Sequence, residues 1–411
     1  MPLNPLLPRI SSRTGLHIAL VFLIASMLAT PVALAAPVAP DANPQASAIA
    51  PPEVTAAAVY AMDMTSGVEL YAKDPFAHLQ VGSVVKVATA LVVVNNAELD
   101  EQVLIQESDL VDTNEYSNMA LQAGDTLTVS QLLYGLMIPS GNDGARALAR
   151  YVGSKLVGSE DANVATEAFV KEMNAYAASL GLKNSRFTVP DGIDTPNSYT
   201  CAYDITILSR ELMKSEFLRS VVKEPAYRFY SVGPESRLYE KPTTNQRLGQ
   251  SGVIGLKTGT TGESGGNVVL AREVNGGANI VLITIIGSDH AYADEATGQQ
   301  LVDSRWSDAD AIMASMDASF SWAAPNGDGV LPGLGEQMQV WDVQFQDPPA
   351  IPIPTGTDIA LGYRLQVGAV VEPGARAGAL HLYFGETEVG SVPIYQAAAS
   401  ARSGPQIGMA A

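Results

Sequence analysis

Cysteine is nearly absent from this 411-residue chain, with Cys201 standing alone. An internal disulfide is excluded, as are zinc ribbons and iron–sulfur clusters, which need several thiolates. Histidine is scarce as well. His17, His78, His290 and His381 are too scattered to suggest a metal motif, so neither metal nor cofactor is expected. Positive charge is in deficit, 24 Lys and Arg against 43 Asp and Glu, for a formal net charge of −19. Phosphate backbones would repel so acidic a chain, and nucleic acid is not an expected partner. Beyond the N-terminus no stretch is long and apolar enough for a second membrane span. Hydrophobic residues are plentiful at 47%, with 16% charged, which allows a sizeable core and rules out general disorder. At roughly 100–200 residues per domain, the length suggests two or three domains.

The N-terminus reads as a secretory signal over residues 1–35. Its only charges are Arg9 and Arg13, Leu16 to Ala29 is uncharged, and Ala33-Leu34-Ala35 fits a small-x-small cleavage site. Whether cleaved or kept as an anchor, the segment places the bulk of the chain outside the cytoplasm, in a periplasmic or extracellular cell-wall space. Residues 36–52 are rich in Ala and Pro and read as a flexible leader.

Strands are expected at Ala56–Asp63 and Val68–Tyr71, then a helix from Ser83 through Lys86-Val87-Ala88 onward. Helices follow near Val129–Met137, Asp143–Val152 and Thr166–Leu180. Between Val253 and Gly287 the chain returns to strands separated by Gly-rich turns. A helix near Ser307–Trp322 has Ala309, Ile312, Met313, Met316 and Phe320 on one face, with Ser307 and Asp310 spaced as a capping box. Strands at both ends with helices between imply an antiparallel sheet in which the chain ends meet. Pro325 to Gly329 breaks the pattern, so residues 324–335 are read as a linker. Residues 336–397, including Met338–Phe345, Ile359–Val367 and Ala379–Gly385, read as a small all-β module, with a small-residue tail at 398–411. The tail lacks a Lys-rich amphipathic pattern, so any membrane or cell-wall association is loose.

A Ser-His-Asp triad has no setting here, because neither His78 nor His290 accompanies a G-x-S-x-G turn. Serine activated by lysine remains, and it needs the two side chains on one helical face. Ser83-Val84-Val85-Lys86 supplies that spacing at the start of a helix, where free backbone N–H groups favour negative charge. The same tetrapeptide recurs at Ser220–Lys223, so the pattern alone decides nothing. Ser140-Gly141-Asn142 and Lys257-Thr258-Gly259, each occurring once, break the tie.

The order S-x-x-K, S-G-N, K-T-G resembles that of the penicillin-recognising serine hydrolases. The middle S-G-N motif is similar to that of the low-molecular-mass D-alanyl-D-alanine carboxypeptidases. So are the runs Gly67–Lys86, Leu121–Ala149 and Phe169–Asp194, and Val370–Ile394 resembles their C-terminal domain. The resemblance implies an α+β fold: a β-lactamase/transpeptidase-like catalytic domain at 53–323, an antiparallel sheet with helices on its faces, then the all-β C-terminal domain. It implies removal of the terminal D-alanine from peptidoglycan stem peptides ending in D-Ala-D-Ala, and covalent inhibition by β-lactam antibiotics. Residue by residue, it makes Ser83 the nucleophile, Lys86 its base and Ser140 a proton relay. Asn142 would hold Lys86 and a substrate amide, and Lys257 and Thr258 the terminal carboxylate. The amides of Ser83 and Thr260 would form the oxyanion hole, and Gly259 would let the strand lie close to substrate. Val85, Thr260 and Gly144 depart from the commoner Thr, His and Ala.

A serine β-lactamase is the nearest rival, yet no Glu-x-x-Leu-Asn element lies between Asn142 and Lys257. A biosynthetic transpeptidase usually carries larger extra domains, and a non-catalytic wall-binding scaffold need not keep all three motifs. Cys201 reads as a partly buried small residue, Asp191–Asp194 as a structured turn, and Trp341, Tyr363, Tyr383 and Phe384 as β-module core rather than a carbohydrate platform.

Overall fold

A computed structural model describes residues 51–293, 300–325, 329–346, 349–355, 361–368 and 371–397. The expected signal, almost all of the leader and the tail lie outside them. Among the described residues no helix is long and apolar enough to cross a membrane.

The central sheet has five antiparallel strands. Their order is Glu69–Lys73, Ala58–Asp63, Asn279–Ser288, Gly265–Val274 and Val253–Thr261. An early strand therefore lies beside a late one, with Tyr60 opposite Thr284, as the pattern of strands at both ends implies. These strands are nearly continuous runs of apolar residues because both faces of the sheet are covered. Tyr60, Met62, Val269 and Leu282 face the core formed with the helices between the strands. Val59, Ala61, Leu270 and Ile283 face a second core shared with Ile312, Met316 and the C-terminal Leu380, Val392 and Ile394.

Several elements differ from the sequence reading. The late helix spans Arg305–Ser319, and its N-cap is Ser304. Asp310 does not cap it but pairs with Arg247 at 2.6 Å. Phe320–Ala323 leaves the helix to pair with Ile351–Pro354 as strands, a tertiary contact that overrides the apolar period. Met338–Val340, expected in a strand, ends the helix Leu334–Val340. Leu334 and Met338, one helical turn apart, share its buried side. The strand here is only Val343–Gln344. Ala202–Lys214 and Glu216–Val221 are helices that the pattern does not reveal. Cys201 is fully rather than partly buried, and its Sγ accepts from the Asp204 amide at the start of the first of these helices.

Two local devices aim the chain at one end of the sheet. Thr128 and Gln131 form a reciprocal cap on the helix Val129–Met137, worth about 1 kcal/mol. That helix ends just before Pro139: Ile138 keeps helical geometry and bonds the Tyr134 carbonyl, and the proline, with no N–H, cannot add the next bond of the ladder. Arg150 grips Asp109 through two bonds of 2.7 and 2.8 Å, anchoring the start of the loop whose Ser117 carbonyl accepts from the Asn142 amide. Both are buried, so removing either partner is expected to cost about 3–5 kcal/mol.

Candidate active site

Ser83 and Lys86 meet because the chain is tighter here than an α-helix. Gly82–Val85 form a 3₁₀ turn that runs into the helix Lys86–Asn96. In 3₁₀ geometry residues i and i+3 eclipse each other. Lys86 Nζ lies 2.7 Å from Ser83 Oγ. The ammonium has three donors, and each has an acceptor: Ser83 Oγ, Asn142 Oδ1 at 2.6 Å and the Asp191 carbonyl at 2.5 Å. Lys86 is wholly buried, whereas Ser83 is half-buried and open to the cleft.

Burial depresses the Lys86 pKa from 10.5 to about 8; the nearby Asp191 and Asp143 oppose this and Arg146 adds to it. Asn142 and the turn at Asp191 together fix the amine. Losing one proton would leave two N–H donors for these partners and turn the lone pair towards Ser83.

Ser140 takes up a left-handed backbone, φ +67°, which strains a non-glycine residue by about 1–2 kcal/mol. The flanking bonds hold it there: the Gly141 amide to the Gly135 carbonyl at 2.9 Å, and the Asn142 amide to the Ser117 carbonyl at 2.8 Å. Ser140 Oγ accepts from Lys257 Nζ at 2.8 Å, across 117 residues of sequence. Lys257 is buried on the edge strand and also donates to the Thr258 carbonyl. Burial pushes its pKa well below the ordinary lysine value, and repulsion from Lys86 and then Arg305 adds to this. Thr258 Oγ1 lies 2.6 Å from Thr244 Oγ1.

The edge strand lies directly against the Gly82–Val85 turn. A side chain at Gly259 would come within 2.5 Å of the Val81 carbonyl and 3.1 Å of the Ser83 amide nitrogen. One at Gly82 would come within 3.2 Å of the Thr260 amide nitrogen. The two amides expected to bind an oxyanion are therefore neighbours. All eight residues singled out from the sequence, Ser83, Lys86, Ser140, Asn142, Lys257, Thr258, Gly259 and Thr260, converge on this one cleft. Ser220 does not. It sits exposed on the helix Glu216–Val221, with its hydroxyl on the Phe217 carbonyl.

Other residues of the cleft escaped the sequence reading or were set aside as structural. Asp191 supplies the third acceptor for Lys86, and its carboxylate pairs with Arg146 at 3.2 Å. Arg146 stands one turn after Asn142, a spacing that could have suggested it. Arg305 donates to the Gly259 carbonyl at 2.9 Å and bears on Lys257, though no motif marks it. Asp194 accepts from Thr261 Oγ1, tying the turn to the third-motif hairpin.

Gly192, at φ +84°, has no room for a side chain, since its Cβ would lie 2.1 Å from the Gly82 carbonyl oxygen. Gly192→Ala is expected to destabilise the fold by about 2 kcal/mol or more and to slow acylation of Ser83. Thermal unfolding and timed labelling with a fluorescent penicillin measure the two effects. An unchanged melting temperature with unchanged labelling would mean that the Gly82 turn yields freely.

A half-buried serine bonded to a buried lysine, on a helical turn set against the edge strand of this sheet, is the arrangement of the serine peptidases that use lysine where others use histidine. A family model described as D-alanyl-D-alanine carboxypeptidase, peptidase S11, matches residues 45–289, and the chain belongs to that family. A D-alanyl-D-alanine carboxypeptidase of Streptomyces sp. (strain K15) is 37% identical over 265 residues, 62% of this chain and 89% of that protein. DacF of Bacillus subtilis (strain 168) is 33% identical over 210 residues, 49% of this chain but only 50% of DacF. The chain thus spans about half the length of that second relative. The crystal structure of the Streptomyces K15 DD-transpeptidase matches with a TM-score of 0.58 at 35% identity, covering 66% of this chain and 100% of that one. The fold is transpeptidase-like α+β, followed by antiparallel β structure beyond the family match.

Proposed function

We propose that this protein is an exported serine D-alanyl-D-alanine carboxypeptidase that trims peptidoglycan stem peptides. The observation that carries this reading is the three-way hydrogen bonding of Lys86, which pairs a buried amine with an open serine. Neutral Lys86 takes the proton of Ser83 as Oγ attacks the carbonyl between the two D-alanines. The amides of Ser83 and Thr260 stabilise the oxyanion. Lys257, with Arg305 behind it and Thr258 beside it, binds the terminal carboxylate, whose charge restores the proton that burial disfavours on Lys257. Ser140, bonded to Lys257, passes a proton to the departing D-alanine amine. Asn142 fixes Lys86 and holds a substrate amide. Water then releases the shortened peptide. β-Lactams acylate the same serine.

In this reading residues 53–323 form the catalytic domain, 324–335 the linker and 336–397 the C-terminal domain. The signal at 1–35 delivers the enzyme to the cell-wall space, where contact with membrane or wall is loose. A second reading follows from the Streptomyces K15 relative, whose structure is called a DD-transpeptidase: the acyl group passes to an amine rather than to water.

The test is D-alanine release from a soluble peptide ending in D-Ala-D-Ala, alongside fluorescent-penicillin labelling. Release without an added amine supports the carboxypeptidase. Release that requires an amine acceptor supports transfer, and rapid penicillin turnover with no release supports a β-lactamase. No labelling at all points to a scaffold.

Acylation also has an expected pH dependence. Only neutral Lys86 can accept a proton, and its pKa lies near 8. Below that value the second-order acylation rate is expected to fall about tenfold per pH unit. Stopped-flow acylation between acid and alkaline pH reads the slope, and a flat profile would remove Lys86 from the role of base.

A further inference from the structure

Away from the cleft, the C-terminal sheet carries a concavity of about 530 Å³, inside the range of small-molecule sites. The sheet order is Val343–Gln344, Thr387–Gln396, Arg376–Phe384 and Leu361–Val367. Alternation sends Leu380 and Leu382 into the core, so His381 and Tyr383 point the opposite way. On the neighbouring strand Arg364 stands opposite His381, and Gln366 opposite Ala379.

These side chains form an ordered polar row. His381 sits between two partners, with Nδ1 2.6 Å from Glu388 Oε1 and Nε2 2.9 Å from Gln366 Oε1. Tyr383 donates to Glu388 Oε2 at 3.3 Å, and the Arg364 guanidinium lies over the Tyr383 ring, 4.8 Å from its centre. Trp341 completes the lining and is 57% exposed, so it is not the core residue that its sequence suggests. The turn that presents it is fixed. The Trp341 amide bonds to the Gln337 carbonyl, while the Asp342 carbonyl accepts from Gln396 and from the Ala397 amide.

We propose that this concavity binds an oligosaccharide of N-acetylated hexosamines, the chemistry of a cell-wall glycan strand. The inference rests on the peptidoglycan reading of the active site. A sugar ring offers an apolar C–H face to an indole and a rim of hydroxyl and acetamide groups to Gln366, Glu388 and Arg364. An exposed aromatic beside hydrogen-bonding groups suits both surfaces. A lipid surface fits less well, because residues 361–397 hold two basic residues, Arg364 and Arg376, against three acidic ones.

The probe is chitotetraose, titrated into the full-length protein and followed by ligand-observed NMR. Saturable binding is expected, weakened at least about tenfold by Trp341→Ala and clearly by Gln366→Ala, with D-alanine release from a short soluble peptide unchanged in both. No saturable binding by the wild type overturns the proposal, as does wild-type affinity in both variants. Trp341-dependent binding to phosphatidylglycerol vesicles without sugar binding overturns it in favour of a membrane contact. Absence of D-alanine release from the wild type would sink the enzymatic reading separately, since the two assays share no site.

Discussion

Ser83→Ala is expected to eliminate covalent penicillin labelling and to reduce D-alanine release by at least about 10⁴-fold. No other described hydroxyl is held by Lys86 Nζ, so there is no substitute nucleophile beside the base. The fold should survive, because Ser83 is half-buried and the alanine removes one hydroxyl from a polar cleft. Ser220→Ala is the matched control. It removes the same group from an identical tetrapeptide, exposed on a different helix, and should label like wild type. Intact-protein mass spectrometry after penicillin treatment reads both variants. A penicilloyl adduct on Ser83→Ala would move the nucleophile elsewhere.

Lys257→Ala should follow closely in severity. The Lys257 amine is buried and bonded to Ser140, and Arg305 donates to the carbonyl of Gly259 two residues along the strand. Without it a substrate carboxylate enters a site with little water and loses its nearest cation. Removing one partner of such a pair costs about 3–5 kcal/mol, or roughly 10²–10⁴-fold in kcat/KM. Labelling by penicillin, which also carries a carboxylate, should slow in parallel. Steady-state D-alanine release would decide, and a loss under tenfold would show that Arg305 or another group holds the carboxylate. The contrast with Thr260→Ala is informative, since in the proposed mechanism Thr260 serves through its amide and its side-chain loss should change the rate far less.

The chemistry was legible in the sequence because each motif is short and local. A serine and a lysine three residues apart must share a face in any tight helical turn, and Lys257-Thr258-Gly259 announces itself at the end of an apolar run. Ser220 shows the limit. Local spacing gave two equal candidates, and only the order of the other motifs separated them. Asp191 was visible as part of a turn but not as an acceptor for Lys86, because it contributes a backbone carbonyl, and a carbonyl has no sequence signature. Arg305 was invisible for a related reason: its guanidinium reaches the Gly259 carbonyl, 46 residues away in sequence, and nothing in its neighbours reports that distance. The C-terminal part misled where period-2 alternation was counted through Met338–Val340, although Leu334 and Met338 already stood at helical spacing.

The strands at both ends of the catalytic region and the serine–lysine pair follow from the sequence itself, since they depend on spacing and periodicity within short segments, whereas the distant cation at Lys257 came from the resemblance of its motif. The depressed pKa of Lys86, the union of Ser140 with Lys257 and the exposure of Trp341 belong to the tertiary structure. Each depends on which remote surfaces exclude or admit water, and that is settled only when segments far apart in sequence pack together, 117 residues apart for Ser140 and Lys257.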